Sequence, residues 1–288
     1  MPIVSRHLDS DLGRWSQTEW RPSDEHPLAW AVDQVWDFDG MASAPRERVF
    51  PNGMVELIIQ LDDRYLDVLR NGTVVTPATC VTGIYSRSLV VEAPCRPCRV
   101  IGVRLHPPGA WALLSHPLSQ LADLTADLEA LLGRVAAQLA DLCHGIRSGT
   151  ERVRQVIAWV ERRFLDASDT SRPDPAASWI AGCITRSGGN TDIGKLQVKA
   201  GLSSTRIAYL FRQQIGVLPK RYARIVRFDR ALTMLSRPGA SLSRVALEAG
   251  YYDQPHMNAE FRQLAGLTPR QFVSASRFPN SLSLPERI

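Results

Sequence analysis

Two stretches of this chain repeat one another 50 positions apart: Phe211-Arg212-Gln213-Gln214-Ile215-Gly216-Val217-Leu218-Pro219 and Phe261-Arg262-Gln263-Leu264-Ala265-Gly266-Leu267-Thr268-Pro269. Upstream, Ala200-Gly201 and Ala249-Gly250 recur at an offset of 49, each closing an apolar helical pattern: Ile193, Leu196 and Ala200, then Leu242, Val245 and Ala249. A chain with this ordered set has to fold its second half as two copies of one unit. Each copy spells helix, glycine turn, helix. Gly201 and Gly250 stand where a helix ends and the backbone reverses, a position that favours φ > 0. Ser203 and Asp253 then supply side-chain oxygens to cap the next helix. Ile207, Leu210 and Phe211 form the inward stripe of the first copy, and Met257, Phe261 and Leu264 that of the second.

The opposite face of each second helix carries Ser204, Thr205, Ala208, Tyr209 and Arg212 in the first copy, and Gln254, Pro255, Asn258, Ala259 and Arg262 in the second. Short polar groups and an arginine on an exposed helix suit base edges in a major groove. Ser204, Thr205, Ala208, Tyr209, Arg212, Gln254, Asn258 and Arg262 are therefore the candidate base-reading residues. Between the copies, about Pro219 to Leu235, Tyr222, Ile225, Phe228, Leu232 and Leu235 line one side of a helix, while Lys220, Arg221, Arg224 and Arg227 crowd another. With Ser203 and Arg270, these cations are the candidate contacts to phosphate, which attracts charge but carries no base identity. At 1.5 Å per residue that helix is a strut of roughly 25 Å. With the helices at its ends, it can set two recognition helices about one DNA turn, ~34 Å, apart. One polypeptide could then address two successive major grooves of double-stranded DNA.

Charge agrees with this. The chain has 34 Lys+Arg and 29 Asp+Glu, yet residues 178–288 alone hold 16 basic and 6 acidic residues, leaving residues 1–177 with 18 and 23. A basic half of this kind is the electrostatic footprint expected of a polyanion partner, or merely a solvated basic surface.

With these residues assembled, the chain resembles the AraC/XylS-type transcriptional regulators, whose DNA-binding domain is two helix-turn-helix units joined by a long helix. The resemblance runs through Leu196–Pro219, Arg227-Phe228-Asp229-Arg230-Ala231-Leu232, and Val245–Phe272 with its Gly266-Leu267-Thr268-Pro269-Arg270-Gln271-Phe272 end. Tyr209 and Ala259 stand where family members often have Arg, and Met257 where Phe is common. Without an arginine at 259, the resemblance implies that the second unit holds the backbone more than it reads bases. The N-terminal half resembles the β-rich, cupin-like sensor domain of one branch of the family, on Glu47-Arg48-Val49-Phe50-Pro51-Asn52-Gly53 and Gly102-Val103-Arg104-Leu105-His106-Pro107-Pro108-Gly109-Ala110. This implies control by a small-molecule effector, or dimerisation through that half, and an RNA polymerase partner if the protein activates.

The residues of the first half support β structure independently. Ala29–Phe38, Met54–Gln60 and Cys98–Leu105 are rich in branched and aromatic residues, and Pro51-Asn52-Gly53, Asn71-Gly72, Pro94 and Pro107-Pro108-Gly109 punctuate them. A small barrel or sandwich follows. Leu121, Leu124, Leu128, Leu131, Val135 and Leu142 predict a helix up to Gly149. Thr150 can cap a second, carrying Val153, Val156, Ile157, Val160 and Phe164. These stripes can pack on the β half or on a second subunit. The polar, proline-bearing run at 166–175 predicts an interdomain linker. The expected architecture is α+β: residues 1–165 a β-rich regulatory domain with helices, 166–175 a linker, and 176–288 an all-α double helix-turn-helix domain.

Other chemistries have thin support. Cys95-Arg96-Pro97-Cys98 has the spacing of a redox couple or half a metal site. The alternative reading is therefore a DNA-binding protein whose N-terminal half is a thiol- or metal-dependent enzyme or sensor. There is no second C-x-x-C, and the four-cysteine zinc site of DNA-repair relatives is missing. The six histidines are scattered and no P-loop, G-x-G-x-x-G or G-x-S-x-G occurs. No metal, cofactor or catalysis is expected. Trp30, Trp36, Tyr85, Glu56 and Arg104 serve equally as core or as an effector pocket of apolar walls with a few polar groups. No run approaches 18 apolar residues, and the N-terminus lacks the apolar core of a signal peptide, so a cytoplasmic chain with reduced thiols is expected.

Overall fold

The computed structural model describes residues 2–10, 13–42, 44–166, 172–275 and 281–284. Its first half holds two antiparallel sheets. In the larger, β1 (Val4–Ser10), β2 (Gly13–Trp20), β3 (Val32–Gly40), β10 (Cys98–Leu105), β5 (Val55–Gln60), β8 (Thr79–Thr82) and β11 (Thr125–Asp127) lie in that order. In the smaller, the order is β12 (Ser281–Leu284), β4 (Arg46–Val49), β9 (Leu89–Glu92), β6 (Leu66–Leu69) and β7 (Gly72–Val75). The three strands expected from sequence are β3, β5 and β10. β1 and β2 lie ahead of the segment expected to be β, and β12 returns from the far end of the chain to pair with β4.

Alternation along the central strands sorts their side chains. Val35, Leu57, Ile59, Ile101 and Val103 are buried on one face. Trp36, Glu56, Gly102 and Arg104 occupy the other, with Trp36 opposite Gly102 and Arg104 opposite Glu56. A one-residue slip would drive Glu56 and Arg104 into the apolar layer, so burial sets the register. Gly102 is obligatory: a Cβ there would lie 2.3 Å from Cε2 of the Trp36 indole.

Helices α1 (Pro107–Leu114), α2 (Leu128–Leu132), α3 (Arg134–His144) and α4 (Gly149–Leu165) belong to the same half. Leu128, Leu139, Val153, Val156 and Val160 are buried in the chain's own core. The helix expected from Leu121 onward is interrupted. Asp123 takes φ 61, β11 follows, and Gly133, at φ 57, separates α2 from α3. Ser148, not Thr150, caps α4, its hydroxyl accepting from the Glu151 N–H. The deepest polar contact fastens α4 to β3. Arg152 and Asp37 are both buried, and the guanidinium donates from Nε to Oδ2 at 2.6 Å and from Nη2 to Oδ1 at 2.8 Å. Its Nη1 donates to the carbonyls of Ile146 and Arg147, so the charge is hydrogen-bonded all round.

The second half is helical: α5 (Pro175–Arg186), α6 (Ile193–Ala200), α7 (Ser204–Gln214), α8 (Pro219–Leu235), α9 (Leu242–Ala249), α10 (Gln254–Ala265) and α11 (Pro269–Ala275). Of the expected linker, 167–171 lie outside the described residues, while Asp174 caps α5 and Pro175 begins it. The halves share apolar contacts rather than a bare tether. One buried cluster runs from Val35 and Leu118 to Phe211, Tyr222 and Ile225. Phe50 packs edge-on against Phe228 and Phe272, with ring centroids 6.3 and 5.6 Å away. Gly53, at φ 76, lets β4–β5 backbone approach Tyr222 and Ile225 of α8.

Two outcomes follow. Arg152→Ala strands the Asp37 carboxylate in the core and should cost about 3–5 kcal/mol in urea unfolding, whereas an Arg152→Met, Asp37→Leu double variant should recover most of it. The second concerns Asp229 of α8, which faces Arg104 and Asp33 of the β half. Burial pushes its carboxyl up to about 7, Arg104 opposing and Asp33 adding to the rise. The folded chain therefore holds a proton that the unfolded chain releases at lower pH. The stability this proton contributes is lost as pH climbs through about 7. Melting temperature should fall between about pH 5 and pH 8 and do so less in Asp229→Asn.

Candidate nucleic-acid interface

The two helical units are built alike. α6 ends at Gly201 (φ 64) and α9 at Gly250 (φ 93), both left-handed. Ser203 then caps α7 by accepting from the Arg206 N–H at 3.2 Å, and Asp253 caps α10 by accepting from the His256 N–H at 2.8 Å. Ile207, Leu210 and Phe211 are buried in one unit and Met257, Phe261 and Leu264 in the other. The repeat read from the sequence is thus a repeat in space.

Outward, Ser203, Ser204, Thr205, Tyr209 and Arg212 are exposed on the first unit, with Ala208 half-buried. On the second, Arg262 is exposed and Gln254 and Asn258 are half-buried. The Ser204 hydroxyl already accepts from Gln197 Nε2 at 2.9 Å, which ties α7 to α6. Sequence reasoning passed over Arg206, which is exposed in the first turn of α7 and lies 5.5 Å from the Tyr209 ring centroid. Its spacing of three from both Ser203 and Tyr209 is the signal that could have found it. His256 and Gln263, both exposed on α10, were missed likewise.

The cations of α8 divide into two groups. Lys220 and Arg221 are exposed in its first turn, where Leu218 provides no side-chain cap and the helix N–H groups stay open. Arg270 is exposed at the matching place in α11, 50 residues on from Lys220. Arg224 and Arg227 are otherwise employed. Arg224 Nε and Arg227 Nη2 each donate to Glu260 Oε1 at 2.8 Å, and Arg224 Nη2 donates to Gln263 Oε1 at 2.6 Å. Arg227 keeps only 15% of its side chain exposed and lies 5.0 Å from the Tyr251 ring centroid. These two arginines brace α10 against α8. Glu260, 7% exposed, stands 50 residues on from Leu210, so the second unit uses an ion pair where the first uses apolar packing. Sequence spacing put Arg224 and Arg227 on one face but could not show a carboxylate waiting there.

The pocket candidates separate. Trp36, Glu56 and Arg104 share the sheet face described above, where Arg104 Nε donates to Glu56 Oε1. Among the described residues the buried Trp36 Nε1–H has no hydrogen-bond partner. The Tyr85 hydroxyl is 2.7 Å from Thr125 Oγ1. Trp30 lies apart from them, 47% exposed and packed on Phe164 of α4. Cys98 is buried, and burial pushes its thiol up although a hydrogen bond to Tyr65 opposes the shift, which disfavours a thiolate; Cys95 is exposed. Among the described residues no three His, Cys, Asp or Glu side chains gather as metal ligands, and no helix is long and apolar enough to cross a membrane.

Comparison with known proteins finds two separate matches along the chain. Residues 197–275 match the helix-turn-helix domain family HTH_18, and residues 19–127 match a domain of unknown function, DUF6597. The transcriptional activator RhaS of Escherichia fergusonii is 24% identical over 183 residues, 58% of each chain. The arabinose operon regulatory protein of Escherichia coli is 29% identical over 83 residues, 29% of this chain and 28% of that one. The chain thus spans less than two thirds of the length of these relatives. Among solved structures, ToxT from Vibrio cholerae aligns over 80% of this chain and 95% of its own, with a TM-score of 0.46 and 11% identity. A paired helix-turn-helix with left-handed glycine turns thus lies in the segment that matches the helix-turn-helix domain family, and the chain is similar to AraC/XylS-type transcriptional regulators.

Proposed function

We propose that the protein is a sequence-specific regulator of transcription that binds double-stranded DNA through α7 and α10. The observation that carries this reading is the outward face of α7. It presents Thr205, Arg206, Tyr209 and Arg212 in succession on a helix whose other side is buried and whose start is capped. An arginine and short hydroxyls on a rigid exposed helix can pair with base edges. α10 offers fewer such groups, since Ala259 has nothing to donate and Pro255 lacks an N–H. Its share is weighted toward backbone contact. Lys220 and Arg221 sit at the uncapped start of α8, where cations and N–H groups together suit phosphate, and Arg270 adds a cation in the first turn of α11, whose start Thr268 caps. Arg224 and Arg227 act indirectly, by holding α10.

The β half supports the finer reading of a small-molecule effector. Trp36 brings an N–H that is unpartnered among the described residues to the same face as the Glu56–Arg104 pair, an apolar wall with a few polar groups. Asp229 of α8 faces Arg104. A molecule that engaged Arg104 would therefore be felt by the helix joining the two DNA-binding units. Activators are among the relatives, and contact with RNA polymerase is the matching proposal for this chain.

Titration of variants against a selected operator and a scrambled duplex tests the core of this. Thr205→Ala and Arg212→Ala should lose about 1–3 kcal/mol more on operator than on scrambled DNA. Arg221→Ala should weaken both alike and lower the salt slope by about one counterion. Equal losses on both duplexes for Thr205→Ala and Arg212→Ala would place the reading face elsewhere.

A further inference from the structure

The far end of α10 is closed by the β half. Its last carbonyls would normally face water. Here the Ser88 N–H donates to the Leu264 carbonyl at 2.6 Å, the Ser88 hydroxyl to that of Ala265 at 3.1 Å, and Arg48 Nη1 to the same Ala265 oxygen at 2.9 Å. Gly266, left-handed at φ 71, leaves room for that guanidinium: a Cβ would lie 2.8 Å from Arg48 Nη1. On its other side the loop is fixed by Asp123, whose carboxylate accepts from the Ser86 N–H and hydroxyl. The residue held between these two anchors is Arg87.

This places Arg87 on a cleft of about 480 Å³ whose other walls come from the DNA-binding half, Arg221 and Arg224 of α8 and Arg262 of α10. Arg224 is committed to Glu260 and Gln263. Arg87, Arg221 and Arg262 are exposed, and none makes a side-chain hydrogen bond or ion pair with another described residue. The acidic groups nearby are already taken, Glu260 by two arginines and Asp123 by Ser86. Three free guanidiniums thus share one cleft, and the third is carried there by a loop that two sets of hydrogen bonds hold in place. Like charges gathered without an internal counter-ion raise the energy of the empty cleft, and an oxyanion held by several of them lowers it. A guanidinium meets two oxygens of one phosphate with paired N–H groups.

We propose that this cleft is a phosphate-binding site assembled from both halves of the chain, with Arg87 as the ligand supplied by the β half. Its phosphate is either one of the DNA backbone beside α10, which rests on the DNA-binding reading above, or that of a free phosphorylated molecule. In both cases the β half contributes to anion binding directly, and does so only while it is docked on α10. The site lies apart from the sheet face of Trp36, Glu56 and Arg104.

The full-length chain tests this with Arg87→Ala, and with Arg70→Ala as a control of equal charge on the exposed β6–β7 turn. Binding to a mixed-sequence duplex is measured by anisotropy across a salt series, and melting temperature is measured with and without pyrophosphate. If the phosphate is that of DNA, Arg87→Ala lowers the slope of log affinity against log salt by about one counterion, and Arg70→Ala leaves it unchanged. If it belongs to a free molecule, pyrophosphate raises the melting temperature of the wild type and of Arg70→Ala but not of Arg87→Ala, with the DNA slope unaltered. A wild type that binds no DNA would sink the DNA-binding reading and leave the pyrophosphate arm to decide this one. Arg87→Ala matching Arg70→Ala in both measurements would overturn the proposal.

Discussion

Phe228 sits where the two halves and both helix-turn-helix units converge. It is fully buried near the middle of α8, its ring 4.8 Å from Phe261 of α10 and 6.3 Å from Phe50 of the β half. A rigid connecting helix is worth little unless its ends are fixed to the units it carries. α8 achieves this by burying Tyr222 and Ile225 toward the first unit and Phe228, Leu232 and Leu235 toward the second. Because Phe50 joins the same cluster, the orientation of the β half is coupled to the spacing of the two units. Close-packed aromatic contacts of this sort shift between discrete arrangements rather than deforming smoothly. Any signal received by the β half has a direct mechanical route to α8.

The two units share geometry but differ in what holds them. The first is seated by Leu210 and Phe211, the second by Glu260 between Arg224 and Arg227. An apolar seat is indifferent to its surroundings. The ion pair is partly open to water, since Arg224 is 40% exposed, so it is screened by salt and responds to neighbouring charge. With Ser88 and Arg48 bonded to its last turn, α10 is the second helix of its unit and the one more exposed to influence from the rest of the chain. α7 carries the richer outward face and is independent of these polar ties.

In the β half, polar burial does the organising. Arg152 and Asp37 bring α4 to β3 with one geometry, because a guanidinium and a carboxylate taken out of water must be met at nearly every donor and acceptor. The helices so placed cover the Val35, Leu57 and Val103 face, which accounts for the buried leucines and valines of α2, α3 and α4 without a second subunit. The opposite face keeps Trp36, Glu56 and Arg104 together.

The sequence alone determined the paired units, their glycine turns, their caps and the length of α8, because these depend on residues three to ten positions apart. Backbone hydrogen bonding and steric preference settle such features locally. It also indicated β3, β5 and β10, whose branched residues and flanking turns are local signals, and the excess of positive charge in the helical half. Only the tertiary structure decided what those charges do. Arg224 and Arg227 look the same in sequence as Arg221, yet Glu260, more than 30 residues away, claims two of the three. The break at Gly133 was invisible because leucine spacing continues across it. The apposition of Arg87 with Arg262, the Phe50 contact and the closing of α10 by Ser88 depend on segments 175 to 222 residues apart being brought together by burial of apolar surface. Pairing over such distances leaves no periodic trace in the chain, because nothing near either residue records which surface the other will meet.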